Sequence, residues 1–132
     1  MADREEKRPV ALVVEDNQVN RLVARQMLKR GNIETEEADG GRTALTILKE
    51  KLFDLVLMDV QMPGMDGLET ARAIRNGEAG ERNKGIPIVA MTAYASAEDE
   101  EACYAAGMDA YLSKPLNMQR FLDTVTRIVT KE

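Results

Sequence analysis

V-A-L-V-V-E-D-N-Q-V-N, residues 10–20, joins two different patterns. Val10–Val14 is a continuous apolar run, too short for a helix and rich in valine, and it reads as a buried strand. From Asn17 to Arg30 the apolar residues Val19, Leu22, Val23 and Met27 fall at helical spacing. Gly31 follows where a C-cap glycine would sit. A strand therefore leads into a helix, and Glu15-Asp16 occupies the junction.

The same alternation continues outward along the chain. Ile33–Ala38 is a short, more polar strand, and Gly40-Gly41 precedes a helix with Ala44, Leu45, Ile47 and Leu48 on its apolar side. Leu55–Met58 is a second buried run, and Leu68, Ala71 and Ile74 mark the next helix. A Gly-rich charged loop over 76–85 leads to a strand at Pro87–Met91. Ser96 with Asp99 resembles a capping box opening a fourth helix, which Gly107 ends. Ala110–Leu112 is the fifth strand. Met118, Phe121, Leu122, Val125, Ile128 and Val129 give the last helix the clearest amphipathic pattern in the chain.

The order βαβαβαβαβα implies an α/β fold, with a parallel sheet covered by helices on both faces. Strands one, three and four are apolar on both sides and belong in the centre. The second and fifth belong at the edges. A doubly wound (βα)5 sandwich with strand order 2-1-3-4-5, the flavodoxin-like arrangement, meets these demands.

Composition narrows the function. The chain has 132 residues, which suits one domain, and 44% hydrophobic content suits a globular one. Residues 1–8 read as a flexible polar tail and 9–132 as the domain. A net charge of -5 with no long Lys/Arg block argues against nucleic acid as a direct partner. The chain has no histidine and one cysteine, Cys103. That excludes Ser-His and Cys-His catalysis, His-based metal sites and an internal disulfide. No apolar run reaches the roughly 18 residues of a membrane span, and no signal peptide opens the chain, so a cytoplasmic protein is expected.

In open α/β sheets, ligands bind beyond the carboxyl ends of the strands, at the point where the strand order reverses. Strand one ends in Glu15-Asp16, strand three in Asp59 and strand four in Thr92-Ala93. Strand five leads into Ser113-Lys114-Pro115. Taken singly, an acidic residue after a strand is commonly a helix cap or a solvated turn. Convergence changes that reading. Two carboxylates at 4 Å repel by roughly 1–4 kcal/mol, depending on the local dielectric. Clustering three of them gains nothing unless a cation joins them, and hard oxygen ligands suit Mg²⁺.

The stretches V-V-E-D-N, M-D-V-Q-M-P-G-M-D-G, M-T-A and Y-L-S-K-P, in this order and spacing, resemble the receiver domains of two-component signalling. Receivers attached to hybrid sensor kinases are the most similar. The resemblance covers about residues 9–130. It implies a switch that catalyses its own phosphorylation and dephosphorylation rather than an enzyme acting on other molecules. Asp59 would be the phosphoacceptor, served by a histidine kinase or a histidine phosphotransfer protein. Asp16 would bind Mg²⁺ directly, and Glu15 directly or through water. Gln61 would offer the metal its backbone carbonyl. Lys114 would pair with Asp59 and then with a phosphoryl oxygen. Thr92 would hydrogen-bond the phosphoryl group. Tyr111 would change rotamer, remodelling the face formed by the fourth helix, fifth strand and fifth helix for a downstream protein. Lys114-Pro115 would carry a cis peptide. The leading Met1 and short tail lean toward a free-standing regulator over a piece of a hybrid kinase.

Three other readings compete. A phosphohydrolase of the haloacid-dehalogenase type wants a second Asp two residues after the nucleophile, and Gln61 stands there. A nucleotide-binding protein needs a Gly-rich loop after a strand, and the carboxylates of E-D-N-Q-V-N would repel phosphates. A pseudo-receiver, folded alike but never phosphorylated, would lack part of the set Asp16, Asp59, Thr92 and Lys114, all of which are present.

Overall fold

The computed structural model describes residues 8–94 and 96–130. Its elements are β1 (Val10–Val14), α1 (Gln18–Arg30), β2 (Glu34–Ala38), α2 (Gly41–Glu50), β3 (Leu55–Asp59), α3 (Gly67–Arg75), a 3-10 turn (Glu81–Asn83), β4 (Ile88–Thr92), α4 (Ala97–Ala105), β5 (Ala110–Ser113) and α5 (Met118–Val129). The five strands are all parallel, in the order β2-β1-β3-β4-β5. The apolar runs take the three central places and the polar strands the two edges, as their composition demands.

Period-2 alternation splits the core into two layers. Leu12, Val14, Val56, Met58, Ile88 and Ala90 point toward α2, α3 and α4. Ala11, Val13, Leu55, Leu57, Val89 and Met91 point toward α1 and α5, where Leu28 and Phe121 are fully buried. The parallel register aligns Val14 with Met58 and Asp59 with Met91. The carboxyl ends of β1, β3 and β4 therefore share one rim.

Several boundaries differ from the sequence reading. Ile33 is buried in the core, but pairing of β2 with β1 begins only at Glu34. The fourth strand starts after Pro87, which has no N–H to offer a ladder, and runs on to Thr92. At the end of α1, Gly31 is the C-cap, but its φ is -90° and Asn32 takes the left-handed conformation, at φ 64°. Ser96 caps α4 by accepting from the Asp99 N–H. The full capping box belongs to α3, where Asp66 and Glu69 bond each other's backbone reciprocally.

The helical spacing of Val19, Leu22, Val23 and Met27 does fall on a helix, α1, but most of that stripe is not what the helix buries. Ala24 and Leu28 are the buried residues of that helix, whereas Val19, Leu22 and Val23 are 65%, 50% and 39% exposed. Helical spacing identifies a stripe but not its neighbour, and the orientation of α1 turns the stripe's N-terminal part to solvent. The loop over 76–85 is also more ordered than its Gly-rich composition suggests. Its 3-10 turn buries Asn83, whose amide donates to the Leu48 carbonyl at the end of α2.

Candidate functional site

β1 delivers Glu15 and Asp16 to the rim, β3 delivers Asp59, β4 delivers Thr92, and the chain after β5 delivers Lys114. Asp59 and Glu15 are each 1% exposed, and Asp16 is exposed. Carboxylate oxygens of Glu15, Asp16 and Asp59 lie within 4.8 Å of one another. Lys114 Nζ donates to Asp59 Oδ1 at 3.0 Å and to Glu15 Oε1 at 3.1 Å. One ammonium thus bonds two of the three carboxylates, and the cluster of hard oxygen donors stays net negative. This donor set fits Mg²⁺ better than a soft or imidazole-seeking metal.

The backbone fixes these groups. Lys114 N–H donates to the Thr92 carbonyl at 2.8 Å, tying the end of β5 to the end of β4. The Lys114-Pro115 peptide is cis. Gln61 N–H donates to Asp59 Oδ1 at 3.2 Å, and Asn17 N–H donates to Glu15 Oε2 at 3.2 Å. Asn17 also caps α1 by accepting from the Asn20 N–H. Gly67 begins α3 directly against the end of β3. A Cβ there would collide with the Asp59 carbonyl oxygen. Only glycine permits this close approach. The glycine that ends M-P-G-M-D-G is therefore a steric requirement of the site, a reason that the motif alone does not state.

Burial is the main force on the Asp59 carboxyl and pushes its pKa up. The Lys114 hydrogen bond pulls it down, and the Glu15 charge pushes it up again, for a result of about 6. Lys114 moves upward as well. Burial works against its ammonium, but the bonds to Asp59 and Glu15 outweigh that cost.

Thr92 is 1% exposed. Its hydroxyl accepts from Gln61 Nε2 at 2.9 Å and from the Tyr94 N–H at 3.0 Å. The Tyr111 hydroxyl donates to the Tyr94 carbonyl at 2.8 Å, so the ring of Tyr111 lies outward, half-buried at its strand. The rim thus brings together Glu15, Asp16, Asp59, Gln61, Thr92 and Lys114. Tyr111 stands further out and is linked through Tyr94. The sequence reading gave Tyr94 no role, and no spacing signal would have supplied one.

The sequence profile of the family described as "Response regulator receiver domain" matches residues 11–126. The sensor protein GacS of Pseudomonas syringae pv. syringae is 40% identical over 119 residues. That match covers 90% of this chain but only 13% of GacS, so the chain spans a small part of that relative's length. Among solved structures, the receiver domain of sensor histidine kinase PA1611 from Pseudomonas aeruginosa, with a magnesium ion coordinated in its active site cleft, superposes with a TM-score of 0.84. It is 33% identical and covers 95% of this chain and all of that one. The receiver domain of Saccharomyces cerevisiae Ssk1, solved in complex with the histidine phosphotransfer protein Ypd1, gives a TM-score of 0.83 at 30% identity, covering 93% of this chain and 90% of that one. Strand order, the converged acidic rim and these likenesses lead to one conclusion: the chain belongs to the response-regulator receiver family of two-component signalling.

Proposed function

We propose that this domain, 9–132 by the sequence reading, whose 1–8 tail lies almost wholly outside the described residues, accepts a phosphoryl group on Asp59 from the phosphohistidine of a histidine kinase or phosphotransfer protein. In that transfer the Asp59 carboxylate oxygen forms a bond to phosphorus, the P–N bond breaks, and the imidazole leaves with the bonding electron pair. Positioning and charge neutralisation dominate such a transfer. A Mg²⁺ ion held by Asp16, Asp59, Glu15 and the Gln61 carbonyl would supply positive charge against the incoming phosphoryl oxygens. Lys114 neutralises the nucleophile's surroundings from within the protein and can then pair with a phosphoryl oxygen. Thr92 supplies a hydroxyl donor that adds no charge.

The observation that carries this reading is Asp59 itself: a carboxylate 1% exposed at the end of a central strand, 3.0 Å from an ammonium and inside a metal-capable cluster. A buried carboxylate so placed costs stability, which function can repay and packing cannot. A protein donor fits the surroundings. A cleft lined by Glu15, Asn20, Lys114, Pro115 and Leu116 includes the exposed Val23 of α1, and the exposed Val19 and Leu22 of the same helix line a second hollow with Arg25 and Glu37. The intact set Asp16, Asp59, Thr92 and Lys114 argues against the pseudo-receiver reading.

Transmission would run from Thr92 to Tyr111 and the face of α4, β5 and α5. A hydrogen bond to a charged phosphoryl oxygen is worth about 1.5–3 kcal/mol, enough to shift evenly balanced rotamers about tenfold or more. Incubation with acetyl phosphate and Mg²⁺ tests the reading by mass spectrometry. A gain of one phosphoryl group, lost in Asp59→Asn, is expected; equal labelling of that variant refutes it.

A further inference from the structure

Gln61 enters the reading above only through its main chain, yet its side chain is engaged. Its amide Nε2 donates to Thr92 Oγ1 at 2.9 Å, and its Oε1 accepts from the Ala93 N–H at 3.4 Å. Its own N–H donates to Asp59 Oδ1 at 3.2 Å. One residue therefore touches both the carboxylate and the hydroxyl that are expected to share a phosphoryl group.

A threonine hydroxyl has one hydrogen to give and two lone pairs to receive. For Thr92 all three are in use. Gln61 Nε2 and the Tyr94 N–H take the lone pairs, at 2.9 Å and 3.0 Å. The hydroxyl hydrogen is directed to the Tyr94 carbonyl at 3.3 Å, a long bond. That carbonyl is the same one that accepts from the Tyr111 hydroxyl at 2.8 Å. With both lone pairs held, the hydroxyl cannot rotate toward Asp59 without losing a partner.

We propose that the Gln61 side chain is a positioning residue that latches the Thr92 hydroxyl toward Tyr94, so that a phosphoryl group on Asp59 must displace this amide to engage Thr92. The latch biases the unphosphorylated state and sets how strongly occupancy of Asp59 is felt at Tyr111. It rests on the phosphoacceptor reading and adds a residue to it. Gln61 is exposed, so its released amide can hydrogen-bond water and exacts no burial cost. A ligand that gains from the released state then shifts the population by its differential affinity.

The test measures binding of beryllofluoride with Mg²⁺ to four proteins: wild type, Gln61→Ala, Thr92→Val and the double variant. Tyr111 ring resonances are followed by NMR in the free and bound states. Loss of one net hydrogen bond predicts about two- to tenfold tighter binding for Gln61→Ala. Its free Tyr111 resonances should move part of the way to the bound position. In the Thr92→Val background the effect of Gln61→Ala should vanish, because valine has no hydroxyl to latch. Equal or weaker binding of Gln61→Ala, with Tyr111 unmoved, overturns the latch. So does an equal gain in both backgrounds, which would mean that alanine merely opens the site. Failure of wild type to bind beryllofluoride at all overturns the latch together with the phosphoacceptor reading, whereas binding without a Gln61 effect overturns the latch alone.

Discussion

Replacing Asp59 by asparagine should stabilise the metal-free fold, and the size of the gain should depend on pH in a defined direction. The amide keeps the shape of the carboxyl and cannot ionise. Burial, only partly offset by Lys114, raises the Asp59 pKa from 3.8 to about 6. The folded state thus holds this proton over a range where the unfolded chain has released it. Stability attributable to Asp59 is fully present below the unfolded value and is lost as pH rises through about 6. A shift of about two units is worth about 3 kcal/mol at pH 7.5 and about 1 kcal/mol at pH 4.5. Wild type should therefore recover about 2 kcal/mol relative to Asp59→Asn when pH falls between those values, since the other titrating groups are common to both proteins. Urea unfolding of both in EDTA measures the gap directly. A gap that stays constant, or widens as pH falls, would refute the argument that burial dominates this carboxylate.

Other perturbations probe the remaining groups. Mg²⁺ should raise the unfolding free energy of wild type by about 2.7 kcal/mol at one hundred times its Kd, and Asp16→Asn should blunt that response while melting higher than wild type in EDTA; calorimetry with and without Mg²⁺ checks both. Lys114→Ala removes the ammonium 3.0 Å from Asp59, so labelling by acetyl phosphate should slow and its pH profile should move to higher pH, because the carboxyl loses the group that holds its pKa down; a profile identical to wild type would make Lys114 a bystander. Gly67→Ala should cost about 1–3 kcal/mol in urea unfolding, as an overpacked close approach does, and should also slow labelling because the collision falls on the Asp59 backbone.

What the sequence made legible follows from what its patterns encode. The valine-rich runs and the helical spacings specified strand and helix, and the polarity of E-T-E-E-A specified an edge. From those alone the order 2-1-3-4-5 and the shared rim of Glu15, Asp16, Asp59, Thr92 and Lys114 could be derived. Orientation was less legible. Val19, Leu22 and Val23 have the spacing of a buried stripe, but the helix buries Ala24 and Leu28 instead. Hydrogen-bond connectivity was not legible at all. Nothing in the identity of Gln61 tells that its amide reaches Thr92, 31 positions away in sequence. Nothing marks Tyr94 as the acceptor for Tyr111, or Arg82 as a donor to the carbonyls of Leu48, Lys49 and Lys51 that close α2. Those partners are set by where two loops meet, and periodicity carries no information about that.

The distribution of packing around α4 suits the route proposed for the signal. Cys103 is its one fully buried residue among nine, and its first turn carries Glu98, Asp99 and Glu100. A helix so lightly buried has little apolar area to lose when it shifts. Its far end is held differently. Arg75 donates to the Gly107 carbonyl at 2.9 Å, to the Ile86 carbonyl at 2.7 Å and to the Asp109 carboxylate at 2.9 Å. Asp109 in turn accepts from the Ile88 N–H at 2.9 Å, at the start of β4. The turn from α4 into β5 is thereby pinned to α3 and to the central sheet. Thr92 and Tyr94 lie at the opposite, N-terminal end of α4, where Ser96 supplies the cap. A rearrangement that begins at Thr92 therefore meets α4 at its loose end and finds the other end anchored. The Arg75 bonds fall on the turn and on the strands, not on α4 itself, so a shift of the helix would disturb them least if it pivoted about Gly107, whose φ of 102° marks the bend. Such a pivot would move most the half of the helix nearest Thr92, where the proposed signal starts.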